Sequence, residues 1–228
     1  MPYFKTDSVN ILLVHIPKTG GTSLETYFSH KYSLPLNESV LFSSKPSILP
    51  EFKNRYIQHL CLSEYEGHKD VLHIDFDSLT IYSITRNPYD RIISALLYER
   101  KITTSADSDT VYSAIYDKLT GLNISTHESR WRHYGHYVPQ WVFICDATGS
   151  VDPRVIVMET ETLASDMISH GFTDFNVHNN GTLTRRTAYR QMLNDKSIRL
   201  INQCYERDFT LFNYPMITEN EQPLSACP

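Results

Sequence analysis

Two periodicities alternate along this chain. Short apolar runs recur at Ile11–Ile16, Tyr56–Leu60, Val71–Ile74, Ile81–Thr85 and Val155–Met158. Their length and β-branched content predict buried strands. Between and after them, apolar residues fall three and four apart over Thr22–His30, Pro88–Lys101, Thr110–Leu119, Leu163–His170 and Lys196–Tyr205, which predicts amphipathic helices. Asn87 before Pro88 reads as a helix start, and Gly171 after His170 as a helix stop. Leu34–Pro50, rich in serine and proline, reads as loop. Strands alternating with helices imply an α/β fold with a mainly parallel sheet covered by helices on both faces. Ligands of such sheets bind beyond the carboxyl ends of the strands.

At 228 residues the chain suits one domain, with a core over about residues 10–214 and a short tail over 215–228. Its apolar runs fall far short of the roughly 20 residues that span a bilayer. The opening MPYFKTDSVN has no apolar core of a signal peptide. A soluble, cytoplasmic protein with no stable membrane insertion is expected, and a removed anchor stays open. Cys61, Cys145, Cys204 and Cys227 form no CxxC pair, so neither a disulfide framework nor a zinc site is expected. Sequons at Asn37, Asn123 and Asn180 carry little weight without a signal peptide. The net charge of −5 and the lack of a basic stripe argue against a nucleic-acid partner. Local positive charge at Lys18, Arg86, Arg185 and Arg186 can still hold a small anion. Nothing in the pattern reports the oligomeric state.

Candidate chemistry concentrates in Ile11–Ser23, ILLVHIPKTGGTS. A buried strand feeding a glycine loop and a helix N-terminus makes an anion site, because the loop amides point inward and the helix dipole adds positive potential. Lys18 supplies a full charge, and Thr22 and Ser23 supply hydroxyl donors. The spacing is not that of a Walker A loop, since Pro17 precedes the lysine and the glycines follow it. The order over His15–Ser23 instead resembles the 5′-phosphosulfate loop of sulfotransferases that use 3′-phosphoadenosine 5′-phosphosulfate (PAPS), the carbohydrate sulfotransferases most of all. That resemblance implies a P-loop-NTPase-like fold and a cofactor site at Lys18, Thr19, Gly20, Gly21, Thr22 and Ser23.

A second constellation lies in Ile81–Tyr98. Arg86 ends a strand, and Ser94 lies about two turns into the next helix. A guanidinium fork and a hydroxyl so placed can close on one phosphate. The pattern resembles the 3′-phosphate motif of the same enzymes, and Arg91 within it reads as structural. The segments from His136 to Trp141 and from Val155 to Thr160, the polar loop at His178-Asn179, and Tyr205, Asp208-Phe209, Phe212 and Tyr214 extend the resemblance. Its cofactor-covering loop falls on Gly181–Arg186, which makes Thr184, Arg185 and Arg186 candidate contacts.

The implied reaction moves a sulfuryl group from PAPS to a hydroxyl or amine of an acceptor, a saccharide by resemblance, leaving 3′-phosphoadenosine 5′-phosphate (PAP). Lys18 would stabilise charge on the leaving phosphate. No metal is expected. A hydroxyl acceptor needs a base, and His59 is the first candidate, with Glu64 the weaker one. The mixed run Arg130–His136 reads as a surface loop that could steer an anionic sugar, and His133 and His136 have metal-ligand spacing. Two rivals stand: a P-loop kinase using ATP and magnesium, and a non-catalytic nucleotide-binding scaffold.

Overall fold

In the computed structural model, residues 3–34, 57–122, 135–176 and 189–218 are described. Four strands form one open sheet in the order β1 (Tyr3–Lys5), β2 (Asn10–Val14), β3 (Thr80–Thr85) and β4 (Val155–Glu159). β2, β3 and β4 run parallel, and β1 pairs antiparallel at the edge. Seven helices accompany them among the described residues: α1 (Gly21–Lys31), α2 (Leu62–Gly67), α3 (Pro88–Tyr98), α4 (Ser108–Leu119), α5 (Trp141–Ile144), α6 (Leu163–Ser169) and α7 (Asp195–Leu211).

The period of two along β2 decides which helix packs where. Leu12 and Val14 face a core built with residues of α2, α3, α4, α5 and α7. Ile11 and Leu13 face the opposite core, with Leu24 and Phe28 of α1 and Met167 of α6. Both faces of the sheet are therefore covered, and β2 reads as a nearly continuous apolar run. The architecture is mixed α/β, as expected from the alternation of elements.

Two expected strands are not strands. Ile57–His59 is a single 3-10 turn. β2 already has both edges paired, with β1 and β3, so this segment cannot pair with it. The run 71–74 is a turn that closes α2. Leu72 N–H donates to His68 O at 3.0 Å, Ile74 N–H donates to Lys69 O at 2.9 Å, and His73 has φ 53. Leu72 and Ile74 are buried while Val71 and His73 are exposed, an alternation that mimics a strand without the pairing.

The helices match more closely. Asn87 caps α3 by accepting from Tyr89 N–H at 3.0 Å, with Pro88 in the first turn. α3 ends three residues before the expected Lys101, where Arg100 turns to φ 55. α6 ends at Ser169, and Gly171 takes φ 86 just beyond it. α7 passes the expected end at Tyr205, which carries non-helical φ −118 and ψ 20; the sequence pattern stops at this kink. The loop over 35–50, the three sequons, His133, His178-Asn179 and the loop with Thr184, Arg185 and Arg186 lie outside the described residues.

Candidate active site

The carboxyl ends of β2, β3 and β4 meet around residues 17–23. Lys18 takes φ 69 and Gly20 φ 93, so the chain reverses sharply before α1 begins. Gly20 is the N-cap of α1, with no side-chain cap bond and no acidic residue in the first turn. Gly21 is dictated by packing: a Cβ there would lie 2.5 Å from His15 Cδ2. Thr19 is wholly buried, and its hydroxyl donates to Ile16 O at 2.8 Å. Thr160, just past β4, donates to both Thr19 O and Thr85 O, which ties the three strand ends together. Ser23 is buried and Thr22 exposed on the first turn of α1.

α3 and the residue that leads into it brace this loop at three points. Arg86, where β3 passes into α3, donates through Nη1 to Lys18 O at 3.2 Å. Arg91, fully buried, donates through Nε to Pro17 O and through Nη1 to Val138 O, both at 2.9 Å. Tyr98 presents its ring to Lys18 Nζ, 3.9 Å from the centroid. Ser94 lies three residues after Arg91 and four before Tyr98, on the same helical stripe. Arg91 thus ties the loop to the segment before α5, as the sequence suggested, whereas Arg86 makes one contact to the loop. Arg86 Nε is buried and meets no hydrogen-bond partner among the described residues, and the same holds for Arg91 Nη2. Gln140 fixes the Arg86 backbone from both sides, accepting from its N–H and donating to its carbonyl, each at 2.9 Å. Gln140 and Trp141 in turn donate their N–H groups to buried Asp208 at 2.8 and 2.9 Å. Burial pushes the Asp208 carboxyl up to about 6.

A histidine group lies beside the loop. His15 Nδ1 contacts Glu25, and both are buried. Burial alone would raise the Glu25 carboxyl, but His15, with help from Gln58, holds Glu25 below its ordinary value. Gln58 Nε2 donates to both Glu25 oxygens at 3.3 Å. His59 Nδ1 lies 3.0 Å from His15 O. A carbonyl only accepts, so Nδ1 carries the proton and Nε2 is left with its lone pair. Burial and the neighbouring His15 hold His59 well below the usual histidine range. The His59 ring packs edge-to-face on His15 at 4.8 Å and lies 6.2 Å from His136. Glu64 is engaged elsewhere: its Oε2 accepts from Cys61 N–H at 2.8 Å and caps α2.

Lys18 is the unusual charge. Burial and the adjacent Arg86 push its ammonium down to about 8, against the pull of Glu99. A cation beside glycine amides and an uncapped helix end is suited to a phosphate-like anion. The structure brings Lys18, Gly20, Gly21, Thr22, Ser23 and Arg86 around one strand end, while Thr184, Arg185 and Arg186 lie outside the described residues. Sequence reasoning missed Glu25, Gln58, Tyr98, Glu99, Gln140 and Thr160 as parts of this site. Gln140 stood within the segment quoted for the resemblance, and Tyr98 stood one turn beyond Ser94; both signals were there.

The sulfotransferase family model matches residues 1–215. The chain belongs to the sulfotransferase family, and its class of reaction is sulfuryl transfer. Searches among curated proteins and among solved structures each gave no significant match.

Proposed function

We propose that the protein transfers a sulfuryl group from PAPS to a hydroxyl of a carbohydrate acceptor. One observation carries this reading: Arg86 braces the Lys18 carbonyl while its own buried Nε stays unpartnered among the described residues. A buried guanidinium donor costs free energy unless it finds an acceptor, and an anionic ligand at the strand ends supplies one. The uncapped α1 terminus fits the same kind of group.

PAPS, when bound, supplies a sulfuryl group on a phosphate leaving group. The chain's residues do the rest. The amides of Gly20, Gly21 and Thr22, with the Thr22 and Ser23 hydroxyls, hold the phosphosulfate end, while Ser23 N–H donates to Gly20 O at 2.9 Å; Thr19 shapes the loop from inside. Arg86 and Ser94 hold the 3′-phosphate, and Thr184, Arg185 and Arg186 cover the nucleotide. The Lys18 ammonium meets negative charge as it builds on the leaving oxygen. His59 Nε2 takes the proton of the acceptor hydroxyl. The saccharide class rests on the likeness of the His15–Ser23 loop and the Arg86–Ser94 segment to the carbohydrate enzymes.

A thermal-shift comparison of PAP with ATP plus magnesium tests the donor. A ligand at 100 times its Kd stabilises by roughly 2.7 kcal/mol. PAP is expected to raise the midpoint of the wild type and to have no effect on Lys18→Ala/Arg86→Ala. Stabilisation by ATP and magnesium alone would transfer the protein to kinase chemistry, and silence with both ligands would make it a scaffold.

A further inference from the structure

Tyr98 is an exposed aromatic, with 66% of its surface open, yet its ring lies against the Lys18 ammonium. The face of a phenol ring is electron-rich and attracts a cation, not a neutral amine. The ring is itself held. It packs edge-to-face with His136 at 5.4 Å and an interplanar angle of 77°. His136 is buried, and its Nδ1 lies 2.9 Å from Glu99 Oε1. A carboxylate accepts that contact, so Nδ1 carries the proton and the imidazole plane is fixed. Glu99 follows Tyr98 directly, as the C-cap of α3. A line of contacts therefore runs from the end of α3 through Glu99, His136 and Tyr98 to Lys18.

Lysine needs such help here. Its ammonium is a point charge on a flexible four-carbon stem, and the loop fixes only its backbone, through φ 69 and the Arg86 contact. The charged and titratable groups around Nζ come from three places: Arg86 after β3, Tyr98 and Glu99 at the end of α3, and His136 in the segment before α5. Arg86 repels the ammonium and Glu99 attracts it. The ring gives this balance a direction.

We propose that Tyr98 is a positioning residue for Lys18, its ring held by the Glu99–His136 pair so that the ammonium waits in one place at the mouth of the loop. This deepens the reading in which the Lys18 charge meets the leaving group. Tyr98 is exposed and packs on one side, so its replacement does not open the core.

The experiment is pulse acylation of the full chain with an N-hydroxysuccinimide ester, read at the Lys18 peptide by mass spectrometry across pH. Only the neutral amine acylates, so the rate below the Lys18 midpoint at about 8 reports how strongly the site holds the ammonium form. Removal of the ring in Tyr98→Ala should raise that rate about 3- to 30-fold and lower kcat by a similar factor, while Tyr98→Phe stays within about twofold of wild type. His136→Ala should fall between them. An unchanged rate below the midpoint in Tyr98→Ala, or a Tyr98→Phe variant that behaves like Tyr98→Ala, overturns the proposal. A wild-type rate in His136→Ala removes the Glu99–His136 pair from it. Acylation needs no donor, so a protein that shows these rates but ignores PAP overturns the PAPS reading and not this one.

Discussion

Two of the junctions that join a parallel strand to a helix in this molecule are built in opposite ways. Between β2 and α1 the backbone turns left-handed at Lys18 and Gly20, the helix has no side-chain cap, and its first turn holds no acid. Between β3 and α3 the chain satisfies itself: Asn87 caps, Pro88 opens the first turn, and Asp90 complements the dipole. One helix end is left with donors for an anion, and the other is closed off. The closed junction then serves the open one, because Arg86 in the junction and Arg91 and Tyr98 of α3 reach back to residues 17 and 18. The lesson is that an uncapped helix start beside glycines and a lysine is a binding surface, while a capped one is a strut.

The largest expected effect falls on a residue outside both junctions. His59→Ala should lower turnover roughly 100- to 10,000-fold, the usual worth of a general base, while PAP still raises the melting midpoint as in wild type. Steady-state kinetics beside thermal shift separates the two. Near-normal turnover would remove His59 as the base, and Glu64, committed to the α2 cap, would be a poor successor.

Next comes the charge at the open junction. Lys18→Ala should cost about 100- to 1,000-fold in kcat, as for other groups that stabilise a developing anion, with little change in stability. The pH dependence sharpens this. Lys18 must be charged, so kcat/KM should fall as pH rises through about 8. His59 must be neutral, and its depressed pKa places the acidic limb well below the usual histidine value. An anionic donor favours the ammonium, so the basic limb of kcat should lie above that of kcat/KM. Lys18→Arg keeps its charge and should lose the basic limb altogether. Stability has the opposite sign: folding depresses the Lys18 pKa, so the unfolded chain binds the proton more tightly. The free protein should therefore gain stability as pH rises above about 8, where activity falls.

The contrast between the junctions also explains what could be read in the sequence. Lys18–Ser23 and Arg86 to Ser94 are compact motifs, so residue type and order display them. The parallel strands β2, β3 and β4 announce themselves as runs. β1 does not, because Tyr3, Phe4 and Lys5 form three edge residues with one buried side chain. The false strand at 71–74 arose because alternation of burial is shared by strands and by helix-closing turns. The supports of the site were hidden for another reason. Glu99 with His136, Gln58 with Glu25, and Gln140 with Arg86 join residues 37, 33 and 54 positions apart. No local pattern encodes such pairs; the fold creates them.

Gly21 tests whether the open junction depends on its close packing. Gly21→Ala puts a methyl group 2.5 to 2.8 Å from three atoms of the His15 ring. That ring is pinned by Glu25, so it cannot retreat cheaply. The expected cost is about 1–3 kcal/mol of overpacking strain, read by urea unfolding, together with weaker PAP stabilisation. Gly67→Ala is the control, since a Cβ there meets nothing within 4 Å. Equal behaviour of the two variants would show that the loop gives way easily.

The smallest effect separates strut from binding surface most cleanly. Asn87→Ala removes the oxygen that accepts from Tyr89 N–H and should cost about 1 kcal/mol of stability, as lost caps do. PAP affinity should hardly change, because that N–H faces the cap and not the ligand. Thr22→Ala removes an exposed hydroxyl from an end that has no side-chain cap. Its stability should stay within about 0.5 kcal/mol of wild type, but PAP should bind roughly tenfold more weakly, since a hydrogen bond to a charged group is worth about 1.5–3 kcal/mol. Calorimetry of PAP binding and urea unfolding on both variants give the four numbers. If Asn87→Ala weakens PAP as much as Thr22→Ala does, the capped junction is part of the binding surface, and the distinction between the two helix starts collapses.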